Sequence, residues 1–459
     1  MNAPAVKVDR SRLPASAGSS RFQFPAIEKS VLPSGLGVWT VRHDSVPIVT
    51  CLLLMERGSS SDPLGKEGLA AITVDMLDEG SGGRSAIEMH EALAGIGAQF
   101  DTDLGSDAAA ISVSVLHRFL DPGLTILADM VVRPTLAEDD FARVRQLRLH
   151  RLLQLRDLPG AVADRAFVRL LYGEHPYGHT PIGSETSLAG MSVADVRAFH
   201  AESMTPASAT LIAVGACDHE EIRRVASSAF DGWAPTGGRD TAAPIGAAPS
   251  PARLNVVPRP GAPQTELRVG HVAVARSTPD YHALVAANMV LGGQFVSRIN
   301  LNLREEKGLT YGARTSFDFR RLPGPFALQV SVQTAGTAQA IGEALQEIAA
   351  IRGPRPITTE ELALGVAALT RGYARSFETA DQIARAAMQL ALYDLPDNYF
   401  VEYVPRMEAI TPAEATEAAS RHLDPDRLVT LAVGDLEAIE RDLPALGLGD
   451  PVVLSPATF

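Results

Sequence analysis

The feature that most restricts how this 459-residue chain can fold is an internal repeat. Ser192–Gly215 and Thr411–Gly434 have the same length, and both end Ala-Val-Gly. Each opens on a capping-box signal, Ser192-x-x-Asp195 and Thr411-x-x-Glu414, in which side chains satisfy the orphan N–H groups of a helix start. Each then passes through a helix and a Pro-containing turn into a hydrophobic strand. One such coincidence could arise by chance. Its recurrence at the end of each half implies duplication, and hence two similar α+β domains. Residues 234–253, dense in Pro, Gly and Ala, read as the linker between them. The expected layout is an arm at 1–21, an N-terminal domain at 22–233, the linker at 234–253 and a C-terminal domain at 254–459.

Within the first half, strands are expected at Leu36–Arg42, Ile48–Glu56, Gln99–Leu104, Ala108–Leu116 and Ala209–Gly215. Helices are expected at Gly65–Gly80 and Ser85–Ile96, and over Leu120–Tyr172 with breaks near Pro134 and Pro159. The second half repeats the mixture, with strands near Leu254–Val257, Thr265–Val274, Tyr311–Phe319, Phe326–Gln333 and Arg427–Gly434. A net charge of −13 argues against nucleic acid or an anionic membrane surface as a partner. No apolar run is long enough to cross a membrane, and residues 1–21 lack the apolar core of a signal peptide, so a cytoplasmic location is expected. Cys51 and Cys217 lie in apolar strand-like runs and are expected to be buried thiols.

One stretch carries chemistry. Ser297-Arg-Ile-Asn-Leu-Asn-Leu-Arg304 reads as an amphipathic helix that breaks at Gly308 into a strand entered by Tyr311. Such a corner can aim a guanidinium and a phenol into one space. A fork of five N–H donors beside a phenolic O–H suits a peptide carbonyl or a developing oxyanion. The same residues would also serve as a surface arginine and an ordinary strand tyrosine. The histidines suggest no metal site. His90-Glu91 lacks a second histidine at residue 94, Pro176 and Gly178 prevent a helix that would align His175 with His179, and His219 reads as solvated surface at a helix start. Gly292-Gly293 is expected to loosen a helix end before the corner.

Leu32-Pro-Ser-Gly35, Gly58 to Asp62, Gly65-Lys-Glu-Gly-Leu-Ala70, His175-Pro-Tyr-Gly178 and Leu303-Arg-Glu-Glu-Lys-Gly-Leu-Thr-Tyr311 occur in order along the duplicated chain. With these the sequence resembles the pitrilysin family of zinc peptidases, the insulinase and mitochondrial processing peptidase group, from about Leu32 to Gly434. The resemblance implies an α+β fold of two homologous α/β-sandwich domains of the mitochondrial processing peptidase type, forming half of a clamshell. Members that cut peptides carry His-x-x-Glu-His directly after the Gly-Leu-Ala turn, two histidines binding zinc and the glutamate activating water. Here Ala71 replaces the first histidine, Val74 the general base and Asp75 the second histidine. A later helix, Phe141–Arg156, should supply a glutamate ligand and has no carboxylate at all.

No metal is therefore expected in this chain. The Arg304 and Tyr311 positions match the pair that, in the family, reaches substrate at the zinc site across the cavity. The resemblance implies the zinc-free subunit of a heterodimeric metallopeptidase. In it Arg304 and Tyr311 would act in trans, binding unfolded peptide and stabilising the transition state, while a paralogous partner supplies the zinc. Pairing with itself remains open when the partner is missing. The alternative is a non-catalytic structural or peptide-binding subunit, and a zinc enzyme with a substitute ligand set is a third reading. Purified alone, the chain is expected to hold no stoichiometric zinc and to cleave no peptide. Stoichiometric zinc by metal analysis, with chelator-sensitive cleavage, would overturn the reading of Ala71, Val74 and Asp75.

Overall fold

The computed structural model describes residues 22–234, 250 and 252–455; the arm at 1–21 and most of the 234–253 linker lie outside them. Alternation of apolar residues along each strand, and long apolar runs in the central ones, build two six-stranded sheets. The first contains β1 (Ile27–Val31), β2 (Gly37–Arg42), β3 (Ile48–Met55), β4 (Gln99–Leu104), β5 (Ala109–Leu116) and β6 (Ala209–Gly215). Their spatial order is β1-β2-β6-β3-β5-β4. The second contains β7 (Leu254–Pro258), β8 (Gln264–Val272), β9 (Ala313–Phe317), β10 (Pro325–Gln333), β11 (Val429–Gly434) and β12 (Val452–Val453). Its order is β9-β10-β8-β11-β7-β12.

The repeat is exact in topology across five strands. In sheet one β2 runs parallel to β6, followed by antiparallel β3, β5 and β4; in sheet two β7 runs parallel to β11, followed by antiparallel β8, β10 and β9. The sixth strand differs: β1 lies antiparallel to β2, whereas β12 lies parallel to β7. Both capping boxes form, at Ser192 and at Thr411. Neither β1 nor β12 was expected from the sequence, because each is short and largely exposed.

The halves exchange helices. Helix α3 (Pro159–Tyr172), from the first half, buries Val162, Ala166, Phe167 and Leu170 against Val257, Val272, Leu431 and Val433 of sheet two. Its counterpart α4 (Ala380–Leu392), from the second half, buries Ile383, Ala387 and Leu390 in the cluster that includes Leu52, Leu54, Ile212 and Val214 of sheet one. The opposite face of β3, with Val49, Cys51, Leu53 and Met55, packs in a separate core. Burial on both faces is why Ile48–Met55 reads as a nearly unbroken apolar run. Each fully buried Leu or Ile contributes about 1.5–3 kcal/mol, so the exchanged helices bind the halves into one body.

Polar ties close the seam. Asp107 accepts from the Tyr177 hydroxyl and, at 2.8 Å, from the Arg321 backbone N–H. Arg321 also donates to Glu56 Oε2 at 2.7 Å, Tyr172 donates to the Pro323 carbonyl at 2.9 Å, and Arg268 donates to Asp164 at 2.8 Å. Cys51 and Cys217 are free, buried thiols. Burial pushes both pKa values up, that of Cys217 to about 12, which leaves them inert as nucleophiles. No helix among the described residues is long and apolar enough to cross a membrane.

His271, in β8, is 2% exposed. Nδ1–H donates to the Val272 carbonyl at 2.9 Å, while Nε2 accepts the Asp424 N–H at 3.2 Å. The second bond needs the neutral ring, and burial above all holds its pKa below the usual 6.5. As pH falls below 6.5 the unfolded chain gains the proton first. Stability from this residue is therefore present above that pH and lost as pH falls toward the folded value. Urea unfolding should show lower stability at about pH 5.5 than at about pH 7.5, with a smaller difference in His271→Gln. Equal differences in the two proteins would remove His271 from the pH response.

Candidate functional site

Two regions carry the residues singled out by sequence. The first is α1 (Leu69–Asp75), much shorter than the expected Gly65–Gly80 helix. Its start is set by Gly68 at φ +97° and by Asp62, which accepts from the N–H groups of Gly68 at 2.7 Å and Ala70 at 2.6 Å. The Asp62 side chain is fully buried, and His179 Nε2 lies 3.0 Å from it. The helix ends at Asp75 because residues beyond it turn toward Gly80, where φ is +129°.

Ala71 and Val74 are buried and Asp75 is partly exposed. Facing Asp75 is Arg148, from α2 (Glu138–Arg156), which donates to the Asp75 carboxylate and, at 2.8 Å, to the Pro181 carbonyl. A guanidinium thus joins α1 to the later helix. These residues do not fit a zinc ion, since a single carboxylate already paired with a cation leaves too few donors and adds charge repulsion. Among the described residues no group of three His, Cys, Asp or Glu side chains could hold a metal.

The histidines are structural. His175 Nδ1 accepts the Tyr177 N–H at 3.0 Å, while His179 turns to Asp62, so the two do not converge. His90 stays largely exposed, 3.6 Å from Asp78. His219 departs from the expected solvated surface. Its ring is half-buried between the hydroxyls of Thr40, at 2.9 Å, and Ser30, at 3.0 Å, because β1 covers that helix start.

The second region is the corner before β9. A short α turn, Arg298–Asn300, continues as a π-helix, Leu301–Glu306. Ile299 and Leu303 point into the core, while Leu301 is 44% exposed. Arg298 is buried and fully engaged, with Glu361 Oε1 at 2.7 Å and the carbonyls of Arg355 and Pro356 at 2.6 and 2.9 Å. Gly292 does more than loosen a helix end. A Cβ there would come within 2.5 Å of Thr315 Oγ1, so glycine permits close packing against β9.

Arg304 lies on the last turn of the π-helix, with its guanidinium 3.9 Å above the Phe295 ring. Glu305 Oε1 is 2.8 Å from Nη1, but off its N–H directions, so Nη1 has no hydrogen-bond partner. Tyr311 is 92% exposed and precedes the strand rather than entering it. The reason lies in its neighbours. The Thr310 hydroxyl donates to the Ser331 carbonyl at 2.7 Å and accepts the Gly312 N–H at 3.1 Å, and ladder pairing with β10 begins only at Ala313. The corner therefore carries a guanidinium, ion-paired with Glu305 and stacked on Phe295, and an exposed phenol seven residues apart.

Sequence reasoning missed Phe295, Arg148 and the two asparagines that hold β9. Asn300 bonds Ala313, and Asn288 bonds Thr315, with Nδ2 3.1 Å from its carbonyl and Oδ1 accepting its hydroxyl at 2.8 Å. The corresponding edge of sheet one is open. Outward-facing backbone groups of Phe100, Thr102 and Leu104 in β4 have no hydrogen-bond partner among the described residues.

Comparison with known proteins bears on both regions. A family profile described as Insulinase (Peptidase family M16) matches residues 38–180, and one described as Peptidase M16 inactive domain matches residues 190–369. An uncharacterized zinc protease of Mycobacterium leprae is 25% identical over 335 residues, covering 70% of this chain and 74% of that protein. An uncharacterized zinc protease of Bacillus subtilis is 22% identical over 336 residues, covering 73% and 81%. Among solved structures, a peptidase M16 inactive domain from Pseudomonas fluorescens superposes with a TM-score of 0.83 at 25% identity, over 89% of this chain and 98% of that one. A protease from Helicobacter pylori, at 19% identity and a TM-score of 0.80 over 89% and 99%, shares the fold.

Removing one side of the Asp75–Arg148 pair should loosen α1 from α2. Arg148→Ala is expected to lower unfolding free energy by about 1–2 kcal/mol, between the values for exposed and buried pairs. Added zinc should not raise the melting temperature of either protein. Unaltered stability, or stabilisation by zinc, would show that the pair does not replace a metal cross-link.

Proposed function

The chain belongs to the insulinase family of peptidases, M16, without that family's zinc motif, and on this premise we propose that it is the zinc-free subunit of a two-chain metallopeptidase. One observation carries the reading. The positions of the metal ligands are closed by Asp75 and Arg148, while Tyr311 is exposed and Arg304 lies partly exposed beside Glu305 on a corner that the surrounding bonds hold in place.

The partner is a paralogous chain bearing His-x-x-Glu-His, whose zinc polarises the scissile carbonyl and activates water when bound. This chain supplies donors. The Tyr311 phenol donates to the carbonyl oxygen as it becomes an oxyanion, and the Arg304 guanidinium holds the adjacent peptide carbonyls. Stacking on Phe295 holds the plane of the guanidinium, and its pairing with the side chain of Glu305 is the contact that a peptide carbonyl would replace. Unfolded peptide is the fitting substrate, because these donors address the backbone and not a particular side chain. A second reading, peptide binding without catalysis, is favoured by the open β4 edge, to which an extended chain could add by backbone pairing.

In a complex reconstituted with the zinc-motif paralogue from the same genome, Arg304→Ala and Tyr311→Phe should each lower kcat/KM about tenfold or more. Co-elution of the two chains should be unaffected. Full turnover in both variants would remove the catalytic role. Retained binding of a labelled unfolded peptide, by fluorescence anisotropy, would then favour the second reading.

A further inference from the structure

Resting on the proposed role of Arg304 and Tyr311, we infer that Asn300 is a positioning residue that sets where both of them stand. Its carboxamide is 4% exposed and works as a substitute peptide group. Oδ1 accepts the Ala313 N–H at 2.8 Å, and Nδ2 donates to the Ala313 carbonyl at 2.7 Å. The pair forms the neck of a closed loop, Leu301 to Gly312, and both Arg304 and Tyr311 lie on that loop.

The same Nδ2 lies 3.1 Å from the Gln294 carbonyl and 3.1 Å from Ser297 Oγ. Those contacts fix the ends of the segment containing Phe295, over which the Arg304 guanidinium is stacked. One buried side chain therefore holds three things in register: the root of the π-helix carrying Arg304, the ring beneath its guanidinium, and the strand entrance two residues after Tyr311. Other bonds also hold the loop, since Leu309 N–H reaches the Leu303 carbonyl at 2.9 Å, Gln333 N–H reaches the Leu309 carbonyl at 3.2 Å and the Thr310 hydroxyl donates to the Ser331 carbonyl at 2.7 Å, but none of them touches Ala313 or Phe295. Lys307 N–H reaches the Asn302 carbonyl at 3.0 Å, and the Thr310 hydroxyl closes on Gly312. Without the neck, the strand entrance at Ala313 loses its tie to the root of the π-helix, and the bond from Leu309 N–H to the Leu303 carbonyl is left between the limbs.

Packing alone does not require this chemistry. A buried apolar residue would fill the space, but it would leave the Ala313 N–H and carbonyl unpaired at a sheet edge. An aspartate of the same shape could accept from the Ala313 N–H and, when ionised, has no hydrogen for the Ala313 or Gln294 carbonyls.

The test uses the reconstituted complex with a fluorogenic unfolded peptide, in a mutant cycle. Asn300→Ala is expected to lower kcat/KM about tenfold, because the substrate-binding and transition-state donors that it positions are displaced. In an Arg304→Ala/Tyr311→Phe background, the same change should cost less than about twofold, since nothing remains to be positioned. Asn300→Asp should lie between wild type and Asn300→Ala, and it serves as the probe if the alanine variant does not fold. Amide exchange over residues 309–315 of this chain should quicken in both variants. An equal loss of turnover in both backgrounds would make Asn300 merely structural and overturn the inference. So would faster exchange with unchanged turnover. If the Arg304→Ala/Tyr311→Phe complex itself turns over like wild type, the catalytic reading fails first and this inference falls with it.

Discussion

Everything in this chain depends on covering both faces of two sheets with a limited set of helices. The solution is exchange: α3 leaves the first half to cover sheet two, and α4 leaves the second half to cover sheet one. A central strand such as β3 can then be apolar on both sides, which raises the burial available per residue. The exchange also couples the halves, since separating them would expose both helix faces at once. Polar groups caught in the seam are matched, as at Asp107 with Tyr177 and Arg321, so the seam does not incur the cost of orphaned donors.

A body built this way still has strand edges, and the two halves treat equivalent edges differently. In sheet one the outer groups of β4 are left unpaired. In sheet two the Ala313 N–H and carbonyl and the Thr315 carbonyl, outer groups of β9, are taken by the amides of Asn300 and Asn288. Unpaired edges invite another strand, whereas occupied ones do not. Duplication thus supplied two copies of one architecture, of which one offers backbone groups and the other a fixed corner with side-chain donors. That division suits the role proposed above, in which the chain meets extended peptide at a partner's zinc site.

Loss of the metal ligands has not cost the helix that once would have carried them. The start of α1 is held by Asp62 and His179, and its far end by the contact of Asp75 with Arg148. Neither anchor requires a metal. A guanidinium supplies the positive charge that an aspartate at this place needs, and its second bond, to the Pro181 carbonyl, ties in the loop after the His-Pro-Tyr-Gly turn.

Much of this was legible in the sequence because the signals are local. Capping boxes at Ser192 and Thr411, alternation in the strands, and the break at Gly308 each depend on residues within a few positions of one another. Duplication was visible for the same reason, as a local pattern that occurs twice. The place of Arg304 and Tyr311 at a corner followed from those patterns, and the replacement of the zinc motif by Ala71, Val74 and Asp75 followed from the resemblance to the family. Other features belong to the tertiary structure. That α3 and α4 cross to the opposite sheets could not be read, since a period of 3.6 shows that a helix has an apolar face and not which surface covers it. Arg148 meets Asp75, and Asn300 meets Ala313, across long stretches of chain, so these contacts exist only once packing has set the distances. Tyr311 has the composition of a strand residue, yet it stands outside the strand because the Thr310 hydroxyl takes up the Ser331 carbonyl and the Gly312 N–H. Sequence by itself determined most of the segments that form and the absence of the zinc motif; tertiary packing decided which helix covers which sheet and which side chains are engaged, because those contacts exist only once distant parts of the chain have met.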